Sequence, residues 1–356
     1  MNVKLLIVDM YSPSFKISDR YVGKNYPPLV IAEIGINHGG KIDIAKSMVL
    51  DAFKAGAEIV KHQTHFVDDE MTNDAKNIFP PNDKRSIWEI MDVCSLKPDE
   101  EIELKNFTEQ LGMIYISTPF SRKAADFLDD IGLHAFKIGS GEADNLPLVE
   151  HIASKGKPII LSTGMQTLNS LQETVKILED CKCEYALLEC TNLYPSSPEF
   201  VSLKGITSLE ESFPSAVVGF SDHSIGPYMS IAALGKGASI IERHFTDSRY
   251  RNGPDIQCSM DPAELRLLIN ISKEIWTANM NEKQMSVPEE DVYRFARGSV
   301  VYDKNLKAGT FLTKEDIWTR RPGSGEIAAI DFYKLIGKKL TKDVSFNDQV
   351  QWRDFE

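Results

Sequence analysis

Apolar positions along the chain follow two alternating rhythms. Short runs rich in Val, Ile and Leu occupy residues 29–35, 58–65, 113–120, 135–142, 158–164, 185–192, 216–224 and 239–246. Between them lie stretches with helical spacing, such as 42–55, 99–111, 122–131, 168–180 and 227–236. Regular alternation of strand and helix predicts a parallel sheet covered by helices. Eight such units in residues 29–280 predict an α/β fold, the (β/α)8 TIM barrel.

The remaining segments are of a different kind. In residues 1–28, apolar pieces at 15–17 and 21–22 flank Ser18, Asp19 and Arg20, a hairpin pattern expected to plug the N-terminal end of the barrel. Residues 66–97 form one long insertion after a strand, the kind of connection that serves as a lid or binding loop. Residues 281–291 are polar, contain Pro288 and read as a linker. Residues 292–356 carry β-like pieces at 298–302 and 311–312, turn signals at Ala308-Gly309 and Arg321-Pro322-Gly323, and a helix-start pattern at Asp316-Ile317. They predict a small second domain.

Length agrees with this division, since 356 residues exceed one barrel of about 250. The formal charge is −12, from 40 basic and 52 acidic residues, and no basic block stands out. A nucleic-acid partner is therefore disfavoured, and any bound anion must be small and held by a few local cations. Five cysteines without paired C-x-x-C spacing argue against a disulfide framework or structural zinc and for a reducing cytoplasm. The apolar run at 5–8 stops at Asp9, and no stretch approaches the ~18 residues of a membrane span, so no membrane association is expected.

The ends of the strands carry the chemistry. Glu33, Lys61 with Gln63, Thr118, Lys137 with Ser140 and Glu142, Ser162, Asn192, Asp222 with His223, and Glu242 with His244 fall at the C-terminal tips. In TIM barrels that end is catalytic, because the interior below it is packed with branched apolar side chains. Either histidine alone would be read as a rim residue held by hydrogen bonds; the matched positions of His223 and His244 on adjacent strands favour a weak two-imidazole site for Mn²⁺, Co²⁺, Ni²⁺ or Zn²⁺. Lys61 and Lys137 could be snorkelling surface lysines. Together with Thr118, Ser140, Ser162, Asn192 and Ser221 they instead make a cup suited to phosphate plus carboxylate, as in phosphoenolpyruvate. A Schiff-base lysine acting on a keto acid is an alternative use of the same residues. Glu33 and Glu142 are candidates for proton transfer or for binding sugar hydroxyls, with solvated rim carboxylates as the other interpretation.

These residues sit in longer runs: Ile31-Ala32-Glu33-Ile34-Gly35-Ile36-Asn37-His38, Val60-Lys61-His62-Gln63-Thr64-His65, Ser117-Thr118-Pro119-Phe120, Lys137-Ile138-Gly139-Ser140-Gly141-Glu142, Leu161-Ser162-Thr163-Gly164-Met165, Cys190-Thr191-Asn192, Gly219-Phe220-Ser221-Asp222-His223 and Ile241-Glu242-Arg243-His244-Phe245-Thr246. In order and spacing they resemble the bacterial sialic acid synthase family over nearly the whole chain. The C-terminal segment, with Arg320-Arg321-Pro322-Gly323, is similar to antifreeze-like domains.

The resemblance implies condensation of phosphoenolpyruvate with an N-acetylated hexosamine, N-acetylmannosamine in first place, to give N-acetylneuraminate and phosphate by C–O cleavage. It implies a divalent metal on His223 and His244, Mn²⁺ first with Mg²⁺ or Co²⁺ as alternatives. Lys61, Thr118, Lys137, Ser140, Ser162, Asn192 and Ser221 would hold phosphoenolpyruvate, and Glu33, Gln63, Asn82, Glu142, Tyr194 and Asp255 would face the sugar. Arg321 would reach the N-acetyl group from the partner chain of a domain-swapped homodimer. Two departures, Glu189 where similar synthases often have His and an unusual sequence at 196–200, leave the acceptor open between N-acetylmannosamine and a 2,4-diacetamido-6-deoxyhexose that leads to legionaminic acid. Outside that family, the competing expectations are a Schiff-base sialic acid lyase and a non-enzymatic carbohydrate- or ice-binding protein.

Overall fold

The computed structural model describes residues 12–79 and 84–356 and divides the chain into two compact units, 1–281 and 282–356. Asn82 and residues 1–11 of the expected N-terminal segment lie outside the described residues.

Within the first unit, β1 (Ser14–Ile17) and β2 (Arg20–Gly23) form an antiparallel hairpin turned at Ser18 and Asp19. Eight parallel strands then close into a barrel: β3 (Leu29–Gly35), β4 (Ile59–Thr64), β5 (Ile114–Pro119), β6 (Phe136–Ile138), β7 (Ile159–Ser162), β8 (Tyr185–Cys190), β9 (Val217–Asp222) and β10 (Ile240–His244). β10 pairs with both β9 and β3, which completes the ring. Helices lie between successive strands, from Ile42–Ala55 to Tyr228–Gly235, and Pro262–Asn279 follows β10. The insertion after β4 holds a short helix, Val67–Glu70, and a longer one, Ile87–Cys94, whose start is fixed by a capping box between Ser86 and Glu89.

The two-residue period of the strands divides the side chains into two shells. Leu29, Ile31, Ile59, Ile116, Ala135, Ile160, Ala186, Leu188, Val217 and Ile240 point inward and fill the barrel together with Phe15, Ile17 and Val22 of the hairpin. The hairpin thus covers the end of the barrel opposite the strand tips. The alternate residues, among them Val30, Ala32, Val60, Tyr115, Phe136, Leu161, Leu187, Val218 and Ile241, pack outward against the helices.

The second unit contains the helix Glu289–Ala296, the antiparallel pair β11 (Ser299–Tyr302) and β12 (Ile317–Arg320), and a core of Val300, Tyr302, Leu312, Ile317, Ile327, Leu335, Leu340 and Val350. Two expectations are corrected here. The segment expected to be a linker as far as residue 291 already enters a helix at Glu289, because the Ser286 N–H and hydroxyl both donate to the Glu289 carboxylate and three acidic residues occupy the first turn. Asp316-Ile317 does not start a helix. The Asp316 carboxylate accepts from the Thr313 N–H and hydroxyl at 2.8 and 2.7 Å, which closes a turn and sends Ile317 into β12 opposite Tyr302.

Candidate active site

Continuing the inward register past the apolar layers places polar side chains on the same axis. Beyond Ile31 comes Glu33, beyond Ile59 Lys61 and Gln63, beyond Ile116 Thr118, beyond Ala135 Lys137, and beyond Ile160 Ser162. On the last three strands the same step leads to Cys190, Ser221 with His223, and Glu242 with His244. Lys61 and Lys137, 4 % and 1 % exposed, are therefore interior and not snorkelling lysines.

The lysines and carboxylates neutralise one another. Lys61 forms an ion pair with Glu33 and donates to the Thr118 hydroxyl at 3.1 Å. Lys137 donates to the Ser162 hydroxyl at 2.7 Å and to the Ile138 carbonyl at 2.9 Å. Glu242 lies between the two cations, with Oε1 3.7 Å from Lys137 Nζ and Oε2 3.9 Å from Lys61 Nζ, and Oε1 also accepts the Ser221 hydroxyl at 3.0 Å. Burial raises the Glu242 pKa, but Lys137, Lys61 and the Ser221 hydrogen bond outweigh it and hold the carboxyl below its ordinary value. Burial pulls the Lys61 ammonium down to about 7, opposed by Glu242 and reinforced by Lys137. Ser140, in a short turn after β6, accepts the Gly164 N–H at 3.0 Å and so faces the same cup.

The two histidines stand side by side, with ring centroids 5.4 Å apart. His223 Nδ1 donates to the Thr191 carbonyl at 2.9 Å, which leaves Nε2 as the unprotonated nitrogen. His244 Nδ1 is buried without a hydrogen-bond partner, 3.9 Å from an Asp255 carboxylate oxygen. Burial lowers the pKa of both rings, that of His244 strongly with a further push from His223, so both are neutral and carry free lone pairs. Neutral imidazoles, one with its tautomer set by a backbone carbonyl, are the donor set that a borderline divalent ion takes. Among the described residues, no group of three or more His, Cys, Asp or Glu converges as a closed metal centre. The pair fits an open site completed by water or substrate.

Tyr194 covers the histidines, its ring centroid 4.1 Å from that of His223, and its hydroxyl donates to Asn192 Oδ1 at 3.3 Å. Burial raises the Asp255 carboxyl to about 6, against the pull of Lys61. Gly35, with φ of 48°, borders the site where a Cβ would lie 3.0 Å from Glu33 Oε1 and 3.2 Å from Gln63 Nε2. Only glycine adopts this turn and leaves room for the Glu33–Gln63 contact.

Some expected residues fall elsewhere. Glu142 leaves the axis at the turn Ser140–Glu142; it accepts from Asn145 Nδ2 at 2.6 Å and lines a rim groove with Asp69, Glu70, Arg122 and His151. Arg321 belongs to the second unit, where it is exposed. Asp222 points outward, where it pairs with buried Arg243 at 3.2 Å. Glu189 also points outward, because Ala186, Leu188 and Cys190 take the inward positions of β8; its carboxylate lies where a Cβ on Gly205 of the neighbouring helix would be. It therefore does not line the cup, and a difference there has no direct contact with an acceptor. Sequence reasoning gave Glu242 no role, although Ile240-x-Glu242-x-His244 already carried the inward period.

A model described as the NeuB family matches residues 48–284, more than half of the chain. The chain belongs to the NeuB family. A SAF domain model matches residues 297–356, so the small second unit is an antifreeze-like domain. The NeuB chain is 33 % identical to the N,N'-diacetyllegionaminic acid synthase of Legionella pneumophila, over 94 % of this chain and 96 % of that one. It is 30 % identical to human N-acetylneuraminate-9-phosphate synthase, over 93 % of each. Among solved structures it resembles N-acetylneuraminic acid synthetase from Leptospira borgpetersenii, crystallised with citrate, at a TM-score of 0.73 and 26 % identity, covering 79 % of this chain and 95 % of that one.

Proposed function

We propose that this NeuB-family chain condenses phosphoenolpyruvate with N-acetylmannosamine and water to give N-acetylneuraminate and phosphate. The observation that carries the proposal is the buried pair Lys61 and Lys137 beside two neutral histidines at one barrel mouth. The lysines, with the hydroxyls of Thr118, Ser140, Ser162 and Ser221, take the phosphate and carboxylate of phosphoenolpyruvate. Glu33, Gln63, Tyr194 and Asp255 border the same opening and take the hydroxyls of the sugar. A divalent ion on His223 and His244, Mn²⁺ in first place, would supply the Lewis acid that polarises the sugar aldehyde. The protein's part is orientation: C3 of phosphoenolpyruvate is held against the aldehyde carbon, the C–C bond forms, water adds at C2, and phosphate leaves with its bridging oxygen.

The relative from Legionella favours a second acceptor, a 2,4-diacetamido-6-deoxyhexose, with N,N'-diacetyllegionaminate as product. Phosphate release across a panel of N-acetylated hexosamines separates the two, and bridging ¹⁸O must appear in phosphate. Retention of the label in the keto acid overturns C–O cleavage. We also propose a cytoplasmic homodimer in which Arg321 completes the partner's site. Mixing Arg321→Ala with His223→Ala subunits should then recover roughly a quarter of wild-type sites under random pairing in a two-fold dimer. No recovery despite subunit exchange overturns the trans arrangement.

A further inference from the structure

Beside the cup runs a chain of contacts that uses two residues with no assigned role. The Gln63 Nε2 group donates to Glu33 Oε1 at 2.8 Å. An ionised carboxylate only accepts, so the Gln63 amide must present its NH₂ to Glu33 and turn its carbonyl the other way. That carbonyl oxygen faces His65 Nε2 at 3.4 Å, and His65 Nδ1 faces a Glu70 carboxylate oxygen at 2.8 Å. Both partners are acceptors, so this arrangement needs a proton on each ring nitrogen: Nδ1–H donates to Glu70 and Nε2–H to the Gln63 carbonyl. The His65 side chain is buried, 2 % exposed, and that of Glu70 is 9 % exposed where it borders the rim groove.

The far end of the chain is anchored. His65 stacks on Phe120 with centroids 4.4 Å apart and planes 12° apart, which fixes the imidazole orientation. Glu70 ends the short helix Val67–Glu70, and its neighbour Asp69 accepts the Lys123 N–H at 2.9 Å, tying that helix to Arg122–Asp130. Without the pair, the Gln63 carbonyl loses its donor and the amide is held by its contact with Glu33 alone.

We propose that His65 and Glu70 are positioning residues for the condensation: they hold the orientation of the Gln63 amide and, through it, the Glu33 carboxylate that pairs with Lys61. This rests on the function proposed above. It also couples the start of the long segment after β4 to the barrel axis, because Glu70 sits on that segment.

The test uses the full-length chain with two separate measurements. In protein labelled with ¹⁵N-glutamine, the Gln63 side-chain NH₂ signal, assigned by its loss in Gln63→Met, should exchange slowly with solvent. His65→Phe keeps the stack on Phe120 but removes both nitrogens, and Glu70→Ala removes the acceptor; each should speed that exchange at least fivefold. In turnover, both should lower kcat about tenfold with KM for phosphoenolpyruvate within twofold and an unchanged melting temperature. Glu70→Gln, which keeps a carbonyl acceptor, should recover most of kcat. Unchanged exchange and unchanged kcat in His65→Phe overturn the positioning role, and so does a kcat loss matched by lost thermal stability and not recovered in Glu70→Gln. Wild-type protein that fails to turn over any acceptor, yet shows the predicted exchange differences, overturns the proposed reaction and supports the contact chain.

Discussion

Lys137 and Glu242 face each other across the barrel interior, with Nζ and Oε1 3.7 Å apart and both side chains almost without exposure. Glu242 also lies within 3.9 Å of Lys61, so the cup holds two cations balanced by two carboxylates, Glu33 and Glu242. An incoming anion must therefore draw the lysines away from partners they already have. Lys61→Met or Lys137→Met should weaken phosphoenolpyruvate binding about a hundredfold, the scale of one lost hydrogen bond to a charged group. Sugar affinity should change much less. Titration calorimetry with each substrate checks this, and equal losses for both would overturn the assignment.

The lowered pKa of Lys61 gives this binding a pH dependence. Above about pH 7 the buried lysine loses its proton and its attraction for an anion, so KM for phosphoenolpyruvate should climb by up to about tenfold per pH unit. Below that pH the ammonium is present and KM should level off. Lys61→Arg, which stays protonated, should flatten the alkaline rise even if its overall activity is lower. A profile with the same rise in both proteins would assign the titration to another group.

Chelation should abolish turnover, and Mn²⁺ should restore it, because two histidines make a weak open site. His223→Ala and His244→Ala should lose Mn²⁺ binding, followed by electron paramagnetic resonance, while their melting temperatures stay near wild type. Strand-end residues at the catalytic face contribute little packing. Full activity of metal-free protein would overturn the metal requirement.

Arg243 and Asp222 form a buried pair on the outward face between the strands that carry the histidines. Arg243 also donates to the Ser224 carbonyl at 2.7 Å, and Asp222 accepts the Ser224 N–H at 2.8 Å. Arg243→Met leaves the buried Asp222 carboxylate without a cation, held only by hydrogen bonds from the Ser224 N–H and the Ser230 hydroxyl, so it should cost ~3–5 kcal/mol of stability. Adding Asp222→Asn should recover a large part of the loss. Urea unfolding of the single and double variants measures it, and a neutral single variant would contradict the pairing.

His38 supplies a stability effect in acid. Burial, helped by the adjacent His62, lowers its pKa from 6.5 to about 3. Between these values the unfolded chain binds more protons than the folded one, so stability should fall as pH drops from 6.5 toward 3, by at most ~1.4 kcal/mol per pH unit from this group. His38→Asn should show a shallower decline between pH 7 and 5 in denaturant unfolding. An unchanged slope would remove His38 from the account.

How far the chain could be read without its fold depends on the residue. Lys61, Lys137, His223 and His244 were legible because each continues an apolar period of two at a strand end. Glu242 obeys the same period, but its meaning depends on which cations lie across the barrel. Asp222 stood among the promising tips and Glu189 at a position tied to the choice of acceptor; both turn outward, a matter of one residue in strand phase. His65 continues the period of Ile59, Lys61 and Gln63, but Glu70 ends a one-turn helix beyond the strand and carries no periodic signal, so their contact escaped.

The alternation of apolar runs determined a parallel sheet covered by helices on its faces, and the number of eight strand–helix units matched a closed barrel. Turn and cap chemistry at Ser286, Thr313 and Asp316 depended on local hydrogen bonds, which decided the start of the helix at Glu289 and the start of β12. Tertiary structure alone decided which charges neutralise which. The Lys61–Glu33 and Lys137–Glu242 pairs join strands 28 and 105 residues apart, so their attraction exists only once barrel closure has removed water from between them.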